Sequence, residues 1–138
     1  MKNLLIGLMI ALGLSACGSV KLKPLNIEAP QHPESVVTNG DFMYITNFGP
    51  ELAPQAKDGD GFISRYRLNG DLMETRFISR LNAPKGTVIH QGFLWVADID
   101  HLLGYDVENG ELLYDISFEG ATSFLNGIAV EDDDHLFV

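Results

Sequence analysis

An all-β fold assembled from a repeated unit is what this sequence predicts, and three observations predict it. Residues 33–47 match residues 84–98 without a gap at an offset of 51, with Val37 on Val88, Phe42 on Phe93, Met43 on Leu94, Tyr44 on Trp95, Ile45 on Val96 and Asn47 on Asp98. A third copy over residues 125–138 places Gly127 on Gly86 and, after one inserted residue, Phe137 on Trp95. Short runs rich in Val, Ile, Phe, Tyr and Trp recur between Gly, Asn and Asp turn signals. No helical stripe of i, i+3, i+4 apolar residues reaches useful length. A period of roughly 40 to 50 residues built from strand, turn and aromatic strand marks a radially repeated β architecture. The predicted fold is therefore a partial β-propeller of about two and a half four-stranded antiparallel blades, preceded by a lipoprotein signal peptide.

The chain opens with that targeting segment, over residues 1–16. Lys2 supplies a positive start, and residues 4–14 are apolar apart from Gly7 and Gly13. That length is too short for a mature membrane-spanning helix and right for the apolar core of a signal peptide. Leu14-Ser15-Ala16-Cys17 resembles a bacterial lipobox, in which the small residues admit the processing peptidase and the cysteine thiol takes the lipid. Against this stands an ordinary secretory peptide with an incidental cysteine. Cys17 is the lone cysteine, so no disulfide within the chain is available to staple an exported domain. Gly18 follows it, where an aspartate commonly retains lipoproteins in the inner membrane. The sequence thus points to the bacterial cell envelope, lipid-anchored through Cys17, with the outer membrane favoured over the inner.

Charge narrows the partners. The chain carries a formal net charge of −10, and removal of Lys2 with the leader leaves 8 Lys and Arg against 19 Asp and Glu. Nucleic acid is excluded as an expected partner, because phosphate binding requires basic grooves that release counterions. Anionic lipid surfaces are disfavoured for the same reason, so membrane attachment rests on the lipid. The acidic pairs and runs, Asp58 with Asp60 and residues 131–134, serve solubility first and cation binding second.

Residues 17–32 contain Pro24 and Pro30, few large apolar residues and no period, and read as a tether. Leu22, Leu25 and Ile27 are placed to lie as a short extended stretch against the domain. From Pro33 onward strands are expected over residues 34–38, 42–47, 62–68, 72–78, 85–90, 93–98, 102–107, 112–118, 127–131 and 135–138. They group into blades over about 33–80 and 84–119 and a partial blade over 124–138, together an incomplete propeller over 33–138. Asn39-Gly40 and Asn69-Gly70 fit type I′ hairpin turns, since both residue types tolerate positive φ. Glu108-Asn109-Gly110 closes another turn. Tyr44, Trp95 and Phe137 share one repeat position and are expected to pack between blades.

These strands carry a resemblance. Pro-Glu-Ser-Val-Val, Phe-Met-Tyr-Ile-Thr-Asn, Gly-Phe-Ile-Ser-Arg-Tyr-Arg-Leu-Asn-Gly-Asp and Asn-Ala-Pro-Lys-Gly, in that order, look like the six-bladed propellers of the gluconolactonase, regucalcin and NHL-repeat group. The resemblance implies a central axis on which gluconolactonase-like members hold a divalent metal with a glutamate from the first inner strand and Asn and Asp residues from later blades. Glu34 sits where that glutamate would. Asn126 resembles an inner-strand asparagine facing the same pore, one blade earlier than the family's metal-binding asparagine. Lys85 takes the corresponding position in the second copy. A Ca²⁺ there would polarise a lactone carbonyl and help activate water. A six-bladed ring is longer than this chain, so the resemblance also implies an amino-terminal fragment whose open blade edges invite self-association.

Other motifs weigh less. Residues 57–64, Lys-Asp-Gly-Asp-Gly-Phe-Ile-Ser, approach an EF-hand loop, but counting Asp58 as the third position puts Ala56 first and Arg67 twelfth. A polar insertion between two strands is the stronger reading. Nucleophile-elbow, zinc and phosphate-loop motifs do not occur. Asp98-Ile99-Asp100-His101 is a local cluster with two carboxylates and an imidazole, with Asp98 read as a turn cap. Two functions follow. One is a lipid-anchored module that binds a small molecule or protein through its mouth. The other is a Ca²⁺-dependent gluconolactonase-like hydrolase that draws on residues outside this chain.

Overall fold

Residues 23–138 are described in the computed structural model of the protein, so the leader, Cys17 and the first part of the tether lie outside the described residues. Ten strands follow one another: β1 (Pro33–Thr38), β2 (Phe42–Asn47), β3 (Gly61–Arg67), β4 (Leu72–Leu81), β5 (Pro84–His90), β6 (Phe93–Asp98), β7 (His101–Asp106), β8 (Leu112–Ser117), β9 (Ala129–Val130) and β10 (Leu136–Phe137). Each lies where the alternation of apolar residues placed one. They form two four-stranded antiparallel meanders, β1-β2-β3-β4 and β5-β6-β7-β8, and a two-stranded ribbon, β9-β10. The ribbon is shorter than the strands expected there, because Asp132 turns the chain by accepting the Asp134 N–H at 2.9 Å.

The repeat survives as register. Tyr44 pairs with Val37 and Arg65, and Trp95 pairs with Val88 and Gly104. Period-two alternation then divides each second strand between two faces. Leu94 and Val96 of β6 point at the first sheet, where they meet Tyr44, Ile63, Ile78 and Leu81, joined by Leu103, Tyr105 and Val107. This is the core. Tyr44 is fully buried, and its hydroxyl donates to the Val107 carbonyl at 3.1 Å. At one side of the core Arg65 lies 4.3 Å from the Phe77 ring centre, and its guanidinium also bonds Glu74 and the Glu108 carbonyl.

The three residues of the shared aromatic position fare differently. Tyr44 is enclosed between the two sheets, whereas Trp95 stands on the outward face of the second sheet, stacked on Tyr114 at 5.3 Å. Phe137 is 59% exposed. Packing between two full sheets therefore holds for Tyr44 alone among the described residues.

The turns are corrected in kind. At Asn39-Gly40 only the glycine has positive φ, at 97°, because the Asn39 side chain accepts the N–H groups of Asp41 and Phe42 at 3.0 and 2.9 Å and stays in an ordinary conformation. Asn69-Gly70 repeats the device, with Asn69 accepting the Asp71 N–H at 3.1 Å. Among the described residues the two-residue turn with both φ positive is Gln91-Gly92, at 51° and 81°.

Residues 25–32 do more than tether. The Glu28 carbonyl accepts the Tyr66 hydroxyl at 2.8 Å, the Gln31 N–H reaches Asn47 Oδ1 at 2.8 Å, and Leu25 and Ile27 lie beside Val36, Met43 and Ile45. The segment covers the outer face of the first sheet. The inserted loop before β3 is anchored as well, by Lys57 on Asp100 at 2.6 Å, while Asp58 caps its own turn by accepting the Asp60 N–H at 3.0 Å.

Tyr44 yields the test of this packing. Tyr44→Phe removes one buried hydrogen bond and is expected to cost about 1 kcal/mol. Tyr44→Ala also opens a cavity and is expected to cost roughly 3 to 5 kcal/mol. Urea denaturation followed by far-UV circular dichroism measures both, and equal costs would place the value of Tyr44 in its hydroxyl instead of its ring.

Candidate functional site

The first strands of the three repeat units meet at one end of the molecule. Ser35 and Thr87 lie hydroxyl to hydroxyl at 3.3 Å, the Thr46 hydroxyl donates to the Lys85 carbonyl at 3.1 Å, and the Gly86 N–H donates to the Asn126 carbonyl at 2.7 Å. The last contact needs glycine. A Cβ at Gly86 would sit 2.3 Å from the Asn126 oxygen. Through these bonds Glu34, Lys85 and Asn126, singled out on sequence, are brought into one neighbourhood, with Glu34 and Asn126 exposed and Lys85 buried.

Lys85 is the unusual member. Only 1% of it is exposed, its Nζ donates to the Ala83 carbonyl at 2.9 Å, and the ring centres of Phe124 and Phe48 lie 4.5 and 5.9 Å away. Burial pulls its ammonium below the usual lysine range, opposed by the charges of Asp98 and Glu34. Cation–π contact offsets part of that desolvation.

Asp98 confirms its reading as a cap. Its two oxygens accept the N–H groups of Asn82 and Ala83 at 2.8 and 2.7 Å. Burial raises its carboxyl above the usual range, and those two N–H groups and Lys85 pull it back. The first unit uses the same device at the repeat-equivalent Asn47, which holds the Gln31 N–H.

The Asp98–His101 run splits by direction. Asp98 turns inward, and Asp100 and His101 turn toward other elements. Asp100 Oδ2 pairs with Lys57, and the Lys57 ammonium holds the Asp100 carboxyl below its usual range. His101 Nδ1 donates to Asp115 at 2.5 Å while its Nε2 lies 3.9 Å from Asp100. The Asp115 carboxylate raises the His101 pKa. Between them Ile99 takes a φ of 58°, rare for a β-branched residue, and the turn is held by its carbonyl accepting the Leu125 N–H at 2.7 Å.

No protein-family model, curated protein or solved structure matches the chain. Function must therefore be read from the residues in place.

The Ca²⁺ that the resemblance implies can be tested against these donors. A hard cation takes six to eight oxygens. The neighbourhood offers the Glu34 carboxylate and the Asn126 side-chain amide oxygen, well short of that shell, and Lys85 brings a competing cation to the same place. These residues do not fit a calcium cage. A separate exposed group, Glu131, Asp132 and His135, is held as a turn, with His135 Nδ1 donating to Asp132 at 2.8 Å.

Sequence reasoning missed Phe48 and Phe124 over Lys85, and Lys57 and Asp115 around Asp100 and His101. None of these shares a repeat position with its partner, so register carried no signal for them.

Two outcomes are expected. Asp98→Ala strands two N–H groups and costs roughly 2 to 4 kcal/mol in denaturant unfolding. His101, raised above its unfolded value of about 6.5, adds stability that is fully present below that pH and is lost as pH rises through its folded pKa. Urea midpoints between about pH 5 and 8 should therefore fall with rising pH in the wild type, and Asp115→Asn should flatten that trend.

Proposed function

We propose that the protein is a lipid-anchored β-propeller-type binding module of the bacterial cell envelope, which takes a small molecule or protein at the mouth where its repeat units converge. The observation that carries the reading is the cross-linked first strands around Lys85. Hydrogen bonds among Ser35, Thr46, Thr87, Gly86 and Asn126 make that end stiff, and they leave the Glu34 and Asn126 side chains free at its rim. A rigid scaffold that offers exposed polar groups and loops is how binding sites are commonly built. Lys85 places a positive charge beneath them, so a ligand carrying hydrogen-bond acceptors is favoured. Its own contacts commit it to holding the rim. The anchor rests on the Leu14-Ser15-Ala16-Cys17 pattern alone, and the preference for the outer membrane rests on Gly18.

Metabolic labelling with a palmitate analogue tests the anchor. Wild type is expected to take up the label and fractionate with membranes, and Cys17→Ser is expected to do neither. A labelled Cys17→Ser protein would sink the lipoprotein reading. Thermal unfolding with Ca²⁺ separates the mouth readings, because binding raises the transition by mass action. No saturable rise is expected. A rise that Glu34→Gln removes, together with Glu34-dependent lactone hydrolysis, would replace the binding module with the metal-dependent hydrolase.

A further inference from the structure

The chain between β2 and β3 leaves the first sheet and returns to it at one point. A Cβ at Gly49 would lie 2.9 Å from the Asp60 carbonyl oxygen, so the two ends of the excursion touch. Closed in this way, residues 50–59 form a compact surface loop of the Ω type. Its main-chain bonds are short-range, from the Ala53 N–H to the Glu51 carbonyl and from the Ala56 N–H to the Ala53 carbonyl. Among the described residues one side-chain bond ties the loop to the second sheet, from Lys57 Nζ to Asp100 Oδ2 at 2.6 Å.

Asp100 is the buried half of that bond, with its side chain 5% exposed against 51% for Lys57. Its other oxygen, Oδ1, is buried and has no donor among the described residues. His101 is placed to supply one, with Nε2 3.9 Å from that oxygen and Nδ1 on Asp115 at 2.5 Å. While the ring is neutral, Asp115 holds its single proton on Nδ1, and Nε2 turns a lone pair toward Asp100. Proton uptake reverses this. Nε2 becomes a donor facing the orphaned oxygen, and a second positive charge then stands beside Lys57.

We propose that the inserted loop is a pH-responsive strap, latched to the second sheet through Lys57 and Asp100 and loosened when His101 takes up a proton. Two cations then share one carboxylate and repel each other. The Asp115 carboxylate raises the His101 pKa, and the charge of Lys57 opposes it. Coupling of this kind is reciprocal, so a proton on His101 weakens the latch by the factor by which the latch weakens proton binding. Asp98 and Glu119 also face Lys57 and attract it in either state of His101, which biases the latch without switching it. The sign is opposite to that of the whole fold, because acid strengthens the bond between His101 and Asp115 while it loosens the strap. Phe48, beside the neck of the loop, lies 5.9 Å from the Lys85 ammonium, so the strap borders the mouth. Latching itself requires no ligand there.

A nitroxide at position 55 of the full-length protein, introduced by Gln55→Cys together with Cys17→Ser, reads the strap by electron paramagnetic resonance. Proton NMR of the His101 ring reads the proton. Nitroxide mobility is expected to rise as pH falls from about 8 to about 5, with the midpoint of the His101 titration. His101→Gln should hold the label at its high-pH mobility throughout, and Asp115→Asn should move the midpoint to lower pH, which serves where His101→Gln unfolds. Lys57→Met should free the label at every pH and raise the His101 pKa by about half a unit, roughly threefold in proton affinity. The proposal is overturned by a mobility that stays flat across the His101 titration or falls on acidification, by a midpoint that Asp115→Asn does not move, or by a His101 pKa that Lys57→Met leaves in place.

Discussion

Burial of Tyr44 between two antiparallel meanders is the constraint on which the rest of this molecule depends. A four-stranded sheet with one apolar face gains little until that face is covered, since hydrophobic stabilisation scales with area removed from water. Here the cover is the next sheet. Leu94 and Val96 reach Tyr44 from one side and Ile63 and Ile78 flank it from the other, so neither sheet has a closed core alone. The hydroxyl adds direction to this packing. By bonding the Val107 carbonyl it sets where the end of β7 must lie against the first sheet.

Once the sheets are stacked that way, their first strands have to converge, and the polar chemistry of that end follows from crowding. Main chain approaches main chain at Gly86 and Asn126, and the Thr46 hydroxyl meets the Lys85 carbonyl. Lys85, second in β5, then has nowhere to go but inward. Its ammonium is accommodated by the Ala83 carbonyl, two aromatic faces and the nearby charges of Asp98 and Glu34. Asp98 is tied to the same economy, holding the chain that enters β5 while facing Lys85.

Much of this was legible in residues. Alternation along Phe93-Leu-Trp-Val-Ala-Asp98 separates a face toward the first sheet from a face away from it, and the offset of 51 carries the separation to β2. Asp98 as a turn cap was legible too, because a short carboxylate at a strand end has few better uses. The turns were legible in place and misread in kind, since Asn39 bonds its own following N–H groups and leaves positive φ to Gly40. The pairing of Lys57 with Asp100, 43 residues on, was not legible, because no pattern says where an inserted loop will fold back.

By itself the sequence determined the ten strands, their order in meanders and the side of each strand that is apolar, since these depend on the two-residue period of a strand and on neighbouring turn residues. It also brought Glu34, Lys85 and Asn126 to attention as equivalent positions. Only the tertiary structure decided that Lys85 is buried while its counterparts are exposed, that Tyr44 donates its hydroxyl to the Val107 carbonyl, and that residues 25–32 cover the first sheet. The reason is physical. Burial and partnership depend on which distant surfaces meet, and chain separation carries no record of that until the sheets have stacked.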